Sequence, residues 1–175
     1  MYNSVKWRGW FDVEWVIGGV TYTDTYNNAL YDQGEQDILE VFFRGATAPT
    51  GFVIGLLNTS YSLTETHGMA NITANELTDV TAPGYSVRKA LTRDATGWPT
   101  SALNGGDWQI TSSQQTWTAT GAWSATAGFI FLNAGGTTTP GNTTGRLLAV
   151  AAISPTRQLQ AVDDTLRVTY NIKLQ

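Results

Sequence analysis

The sequence predicts a mainly β protein, a β-sandwich or jelly-roll-like domain with one α-helix at about residues 27–44. Three observations carry this. Short runs with apolar and polar residues in alternation recur along the chain, as strands with one buried face require. Gly, Asn and Pro signals separate these runs. Only one stretch, Asn27 to Gly45, has a helical period, and no βα alternation or internal repeat is present.

The first pattern runs from Val5 to Ile17, with Val5, Trp7, Phe11, Val13, Trp15 and Ile17 alternating with Lys6, Arg8, Asp12 and Glu14. Gly18-Gly19 then supplies a two-residue turn, and Val20-Thr-Tyr22-Thr resumes the alternation. Residues 1–23 therefore read as an aromatic N-terminal hairpin or arm, and 24–175 as a single β-sandwich domain. Trp10 breaks the polar side of the hairpin and is either an ordinary exposed aromatic or a contact residue.

In the helical stretch, Leu30, Gly34, Ile38, Val41 and Phe42 form one apolar stripe, while Asp32, Glu35, Gln36, Asp37 and Glu40 lie mostly off it. Asn27 or Asn28 suits the N-cap, and Gly45 suits the left-handed stop. Gly34 costs about 1 kcal/mol against Ala in mid-helix. It is either a tolerated defect or a point where another backbone packs close.

Phe52–Leu57 and Leu147–Ile153 are continuous apolar runs, as strands buried on both faces show, and Gly128–Asn133 is a further core strand. Residues 58–83 form a long polar connection with a weak capping box at Thr73 to Glu76. A connection of that length is often functional. Residues 84–92 read as a strand and 93–107 as a loop containing Trp98-Pro99 and the turn signal Asn104-Gly-Gly. Trp108–Thr111 and Gln115–Ala119 read as a hairpin, and 134–145 as an exposed, mobile loop. The clearest strand is the last. Leu166, Val168, Tyr170, Ile172 and Leu174 alternate strictly with polar residues, so its removal is expected to abolish folding.

Composition narrows the function. Apolar residues make up 42% and charged residues only 14%, with Thr, Gly and Ser filling the gap. Ten basic against 14 acidic residues give a net charge of −4, which argues against a nucleic-acid partner. The densest basic group, Arg88, Lys89 and Arg93, reads as a solvated strand face. There are no cysteines, which excludes disulfides and thiol catalysis. No apolar run is long enough to span a membrane, and no signal-peptide core follows Met1, which is compatible with a cytoplasmic origin. The sequons at Asn58, Asn71 and Asn142 match by chance in a Thr-rich chain. Seven tryptophans are a high number, and large aromatics concentrate where surfaces meet.

Catalytic signals are weak. His67 is the only histidine, so a His triad or multi-histidine metal site fails, and it reads as a solvated loop residue. Asp163-Asp164 reads as a polar turn. Glu35, Asp37 and Glu40 could form a carboxylate site of the glycosidase type, but a wet helix face is the simpler account. The glycine pairs do not lead from a strand into a helix, so nucleotide binding is unsupported. No catalytic residue, cofactor or metal is expected.

Several stretches carry a resemblance in combination. They are Asn28, Gly34, Ile38-Leu39, Val41 and Phe43-Arg44-Gly45; Thr47-Ala-Pro-Thr50; Phe52–Leu56; Glu76–Val80 with Gly84-Tyr85; Arg93 with Trp98-Pro99; and Arg157, Leu159 and Asp164–Ile172. In this order they resemble a group of small structural proteins of tailed-bacteriophage particles, labelled virion, capsid cement (decoration) or tail-fibre-like proteins. The resemblance covers roughly residues 10–175 and contains no catalytic motif. It implies a non-enzymatic virion component on the capsid exterior that binds and stabilises the major capsid protein lattice, self-associating as a dimer or trimer. Candidate contacts are Tyr2, Trp7 and Trp10 on the arm, Tyr61 and Leu63 in the 58–83 connection, the 134–145 loop, and Trp98. The alternative it allows is a tail-fibre or receptor-binding domain recognising a host glycan, with Trp98, Trp108, Trp117 or Trp123 as stacking platforms. Core packing is the preferred reading of those four. A carboxylate hydrolase is the remote third class.

Overall fold

The structure, a computed structural model, describes residues 7–174, and the expectations at Tyr2 and Val5 lie outside the described residues. Two antiparallel sheets pack face to face. The first contains β1 (Trp7–Ile17), β2 (Val20–Asn27), β6 (Thr100–Asn104), β7 (Asp107–Thr111), β8 (Gln115–Thr118) and β11 (Thr165–Leu174). Its order is β2-β1-β11-β7-β6, with β8 also beside β11. The second has the order β3-β10-β9-β4-β5, from β3 (Ala29–Leu30), β4 (Gly51–Asn58), β5 (Lys89–Thr92), β9 (Ala127–Ala134) and β10 (Arg146–Arg157). The mainly β, sandwich-like architecture expected from the alternation is present.

The alternating patterns place the core. Phe11, Val13 and Trp15 of β1 and Leu166, Val168 and Tyr170 of β11 are buried against Ile54, Leu56, Ile130, Leu132, Ala149 and Ala151 of the facing sheet. β1 pairs with β11 from Trp7↔Leu174 to Val16↔Thr165, so the aromatic hairpin shares its sheet with the last strand. Gly18 and Gly19, at φ +57° and +78°, make the left-handed two-residue turn predicted between β1 and β2. A smaller apolar cluster, Tyr31, Leu57, Tyr61, Met69, Ile72, Phe131, Leu147 and Val150, covers the outer side of the second sheet. The 58–83 connection forms its lid. The lid contains a short helix, α2 (Met69–Ile72), and a 3-10 turn at Thr73–Asn75.

The long helix, α1, spans Asp32–Phe43 instead of 27–44. Ala29–Leu30 is taken by strand pairing with Val150 and Ala149. Asn28 does not cap the helix, because its side chain accepts from Tyr170 Oη at 3.3 Å. Tyr31 stands at the N-cap without a side-chain bond, while Gly45 does take the left-handed stop at φ +68°. A Cβ on Gly34 would lie 2.6 Å from the carbonyl oxygen of Leu148, so close backbone approach is the reason for that glycine.

Other expectations are corrected. The segment at 84–92 is a strand only from Lys89, and 93–107 contains β6, which the loop reading missed. β7 and β8 do not pair with each other. They lie end to end along one side of β11, β7 on Asn171–Lys173 and β8 on Thr165–Val168, because β6 captures β7 through the Asn104-Gly-Gly turn.

Candidate interaction surface

The helix stripe meets an open cleft between the sheets. Leu30, Gly34, Ile38, Val41 and Phe42 face Trp98, Ile110, Tyr170 and Ile172 across a cavity of about 270 Å³. The stripe was expected to close the core. It stops short, since Gly34 is the one buried residue of α1 and Phe42 is 82% exposed. Register continues the apolar floor outward along the first sheet. Ile110 pairs with Ile172 and Leu103 with Trp108, and Trp7 pairs with Leu174. Leu103 is 63% and Trp108 58% exposed, and Trp7 and Leu174 are also exposed. Phe43 adds a second exposed ring with its centroid 6.3 Å from that of Phe42. Exposed apolar residues grouped on one side of a folded protein are the kind of feature that contact sites present.

The two charged residues at the cavity are peripheral to its chemistry. Asp37 is paired with Arg146, and Arg93 is exposed. Trp98 packs edge-on against Phe52, with centroids 5.5 Å apart, and its indole N–H is buried without a hydrogen-bond partner. Thus Trp7 and Trp98 lie on one cavity with Phe42, and Phe43, Leu103 and Trp108 are exposed outside its lining; the sequence reading of contact sites left these four out or treated them as sugar platforms. Phe42 could have been found as the stripe residue nearest the helix end, where little structure remains to cover it.

The remaining candidates fall elsewhere. Trp10 is half-buried on the outer face of the first sheet, where its Nε1 donates to Asp12 Oδ2 at 3.3 Å. Leu63 is exposed on the lid. Tyr61 is buried and is no surface contact. Its hydroxyl shares hydrogen bonds with Tyr31 at 3.0 Å and with His67 Nδ1 at 3.2 Å, under the lid it helps to seal. His67 is accordingly a partner within the lid instead of a solvated bystander. Burial pushes the Tyr31 hydroxyl well above its ordinary pKa.

Of the four proposed sugar platforms, Trp117 and Trp123 are core residues. Their indoles donate to the carbonyls of Val87 at 3.0 Å and Pro83 at 3.1 Å. A polar hollow does exist on the outer face of the first sheet, among Asp12, Glu14, Thr23, Thr25 and Arg167. Asp12 there accepts from Thr25 at 2.7 Å and Asn171 at 2.8 Å, and Glu14 is paired with Arg167.

The carboxylates weighed for catalysis hold structure. Glu40 pairs with Arg44 and Asp37 with Arg146. Asp164 accepts the backbone N–H of Gly18 at 2.8 Å and those of Gln160 and Ala161 at 2.8 and 2.9 Å, tying two turns together. These bonds, that from Gly18 foremost, hold its carboxyl below the ordinary range. Among the described residues no group of three His, Cys, Asp or Glu side chains could hold a metal ion.

The basic group at 88–93 is not one solvated face. Arg88 is 1% exposed and forms a bidentate pair with buried Glu76, at 2.8 Å from Nε and 2.7 Å from Nη2. Glu76 also accepts from Tyr85 Oη at 3.0 Å and from the N–H of Gly141 at 2.6 Å. Arg88 donates onward to the carbonyls of Thr137 and Asn142. The pair therefore pins the lid to the 134–145 loop, which the sequence reading left free.

Comparison with family models, with curated proteins and with solved structures returns no match.

Proposed function

We propose that this chain is a non-enzymatic virion structural protein, a capsid cement or decoration protein that binds the exterior of a major capsid protein lattice. The observation that carries the reading is the open apolar end of the sandwich. The two-sheet body presents Trp7 and Phe42 on one cavity, with Phe43 beside Phe42 and with Leu103 and Trp108 exposed farther along the same face of the first sheet. Such a surface fits docking onto a folded protein, with aromatic anchors at the centre and polar residues at the rim. The acidic balance disfavours contact with a packaged genome. Binding the assembled lattice in preference to free subunits would stabilise the lattice by mass action. The resemblance to phage particle proteins supplies the setting.

The test adds purified protein to particles that lack it. Saturable binding to capsids, raised resistance of those capsids to heat, and loss of both on Phe42→Ser with Trp108→Ser are expected. Binding to host cells but not to capsids would overturn the reading and favour a tail-fibre domain. The observation favouring that second reading is the polar hollow on the outer face of the first sheet, where carboxylates, hydroxyls and a guanidinium gather and Asp12 accepts from the indole of Trp10. Trp10→Ala and Asp12→Ala would then abolish cell binding while Phe42→Ser leaves it intact.

A further inference from the structure

The five sheet edges differ in how they are protected. β8 has four residues and lies beside the 83–87 segment, with Trp117 Nε1 donating to Val87 O at 3.0 Å and the Thr120 N–H to Pro83 O at 3.2 Å. β3 is two residues long, and β5 has four and carries Lys89. β2 carries Asp24, which pairs with Arg157 of β10, and that guanidinium lies 4.3 Å from the Tyr22 ring centroid. Length, charge and cover are the usual means of keeping an edge from pairing with another chain. β6, at five residues, has neither charge nor cover. Thr100–Asn104 carries no charge, every residue in it is exposed, and among the described residues it pairs with β7 alone.

Its register defines what it can bind. Gly105 and Gly106, at φ +63° and +92°, form the two-residue turn to β7. That turn makes Asn104 and Asp107 a hydrogen-bonded pair. Alternation then gives Ala102↔Gln109 and Thr100↔Thr111 to the ladder. The N–H and C=O groups of Ser101 and Leu103 therefore point outward, free to meet another strand.

We infer that β6 pairs antiparallel with β6 of a second copy of this chain, about a two-fold axis through Ala102, joining two first sheets into one. In that register Ser101 meets the second copy's Leu103, and about four backbone hydrogen bonds form at Ser101 and Leu103. Ala102 meets its own copy in the non-hydrogen-bonded position, where Cα atoms come within about 4.5 Å. No like charges are opposed, because the strand has none, and the closed two-fold arrangement leaves no edge for a third copy at that position. The pairing would also set the exposed floor residues Leu103 and Trp108 of the two copies side by side, doubling the apolar strip offered at the cleft.

The chain has no cysteine, which makes a direct test available. Ala102→Cys places two thiols across the axis within the Cα separation that a disulfide spans. Mild oxidation is expected to convert it to a covalent dimer, whereas Thr100→Cys, which faces the second copy's Asn104, stays largely unlinked. The unmodified chain should sediment at twice its 19.0 kDa mass. Ser101→Pro deletes an outward N–H without touching the β6–β7 ladder, and should return it to one chain mass with an unchanged circular dichroism spectrum. A monomeric unmodified chain, equal cross-linking of the two cysteine variants, or a dimer indifferent to Ser101→Pro would each overturn the inference. Capsid binding is not read in any arm, so the outcome is independent of the proposed function.

Discussion

The Glu76–Arg88 cluster and the cleft at Phe42 both lie where loops meet the sandwich, yet they are built from opposite materials. In the first, a carboxylate and a guanidinium are sealed from water, and their hydrogen-bonding groups are drawn to Tyr85, Gly141, Thr137 and Asn142. In the second, aromatic and aliphatic groups stand open to water with little over them. A sealed charge pair is weak evidence for net stability but fixes geometry, because each partner is costly without the other. An open apolar rim adds little to the fold and is available for another surface. The protein thus spends its specific polar contacts on holding its loops and leaves its hydrophobic surplus outside.

Substitutions can break or sharpen that contrast. The largest effect is expected at the sealed pair. Arg88→Met leaves Glu76 buried and uncompensated, and should cost about 3–5 kcal/mol in denaturant unfolding. Adding Glu76→Leu should recover part of this, while the Tyr85 hydroxyl and the Gly141 N–H remain without their acceptor. If the double variant were worse than the single, the bonds from Tyr85 and Gly141 to Glu76 would outweigh the burial of its charge even without Arg88.

Gly34→Ala is the next. Helix propensity alone favours Ala by about 1 kcal/mol, but the new Cβ would meet Leu148 O at 2.6 Å. Crowding should win, with a net loss of about 1–3 kcal/mol. A gain would mean that α1 can lift from β10, so that the cleft is adjustable.

Alkali should follow. Burial raises Tyr26 to about 12 and pushes Tyr31, Tyr85 and Tyr170 well above the ordinary range, whereas unfolded tyrosine titrates near its ordinary value of about 10. Above pH of about 10 the unfolded chain binds fewer protons than the folded one, so stability falls as pH rises. The contribution is intact below that pH. A flat stability profile through this range would show that the lid and core tyrosines are already wet.

The smallest change in stability belongs to the open rim. Phe42→Ser should shift unfolding by no more than about 0.5 kcal/mol, as exposed substitutions do, although it removes capsid binding in the proposed function. A large loss of stability would place Phe42 in the core and end the contrast.

The two regions were unequally legible in the sequence. Alternation at Val5–Ile17, broken at Trp10, and strict alternation at Leu166–Leu174 marked strands with one buried face, but not that the two pair with each other. The spacing of Leu30, Gly34 and Ile38 marked a helix, and Gly34 signalled close packing. The helix start was not legible, because Asn28 spends its side chain on Tyr170, a partner far along the chain. Arg88 could not be recognised as buried, since its acceptor lies in an irregular connection and burial of an arginine leaves no periodic trace. β6 was hidden for a different reason. An edge strand exposed on all sides has no apolar alternation to display. The cleft was visible only in part, since Trp7 and Trp98 were singled out, but nothing local said that the helix would fail to cover them.

The pairing of β1 with β11 has a consequence for how the protein is made. The strand that begins at Trp7 finds its long partner only when residues up to Leu174 exist, and β7 and β8 wait on the same strand. The β1–β2 and β6–β7 hairpins are local, but they join into one sheet only through β11, with most of the chain as the loop to be closed. Such long-range pairing folds slowly, in milliseconds to seconds. Until then the apolar faces of Phe11, Val13 and Trp15 have no partner on that side. The nascent chain would need either a chaperone or a low local concentration to pass through this interval without aggregating.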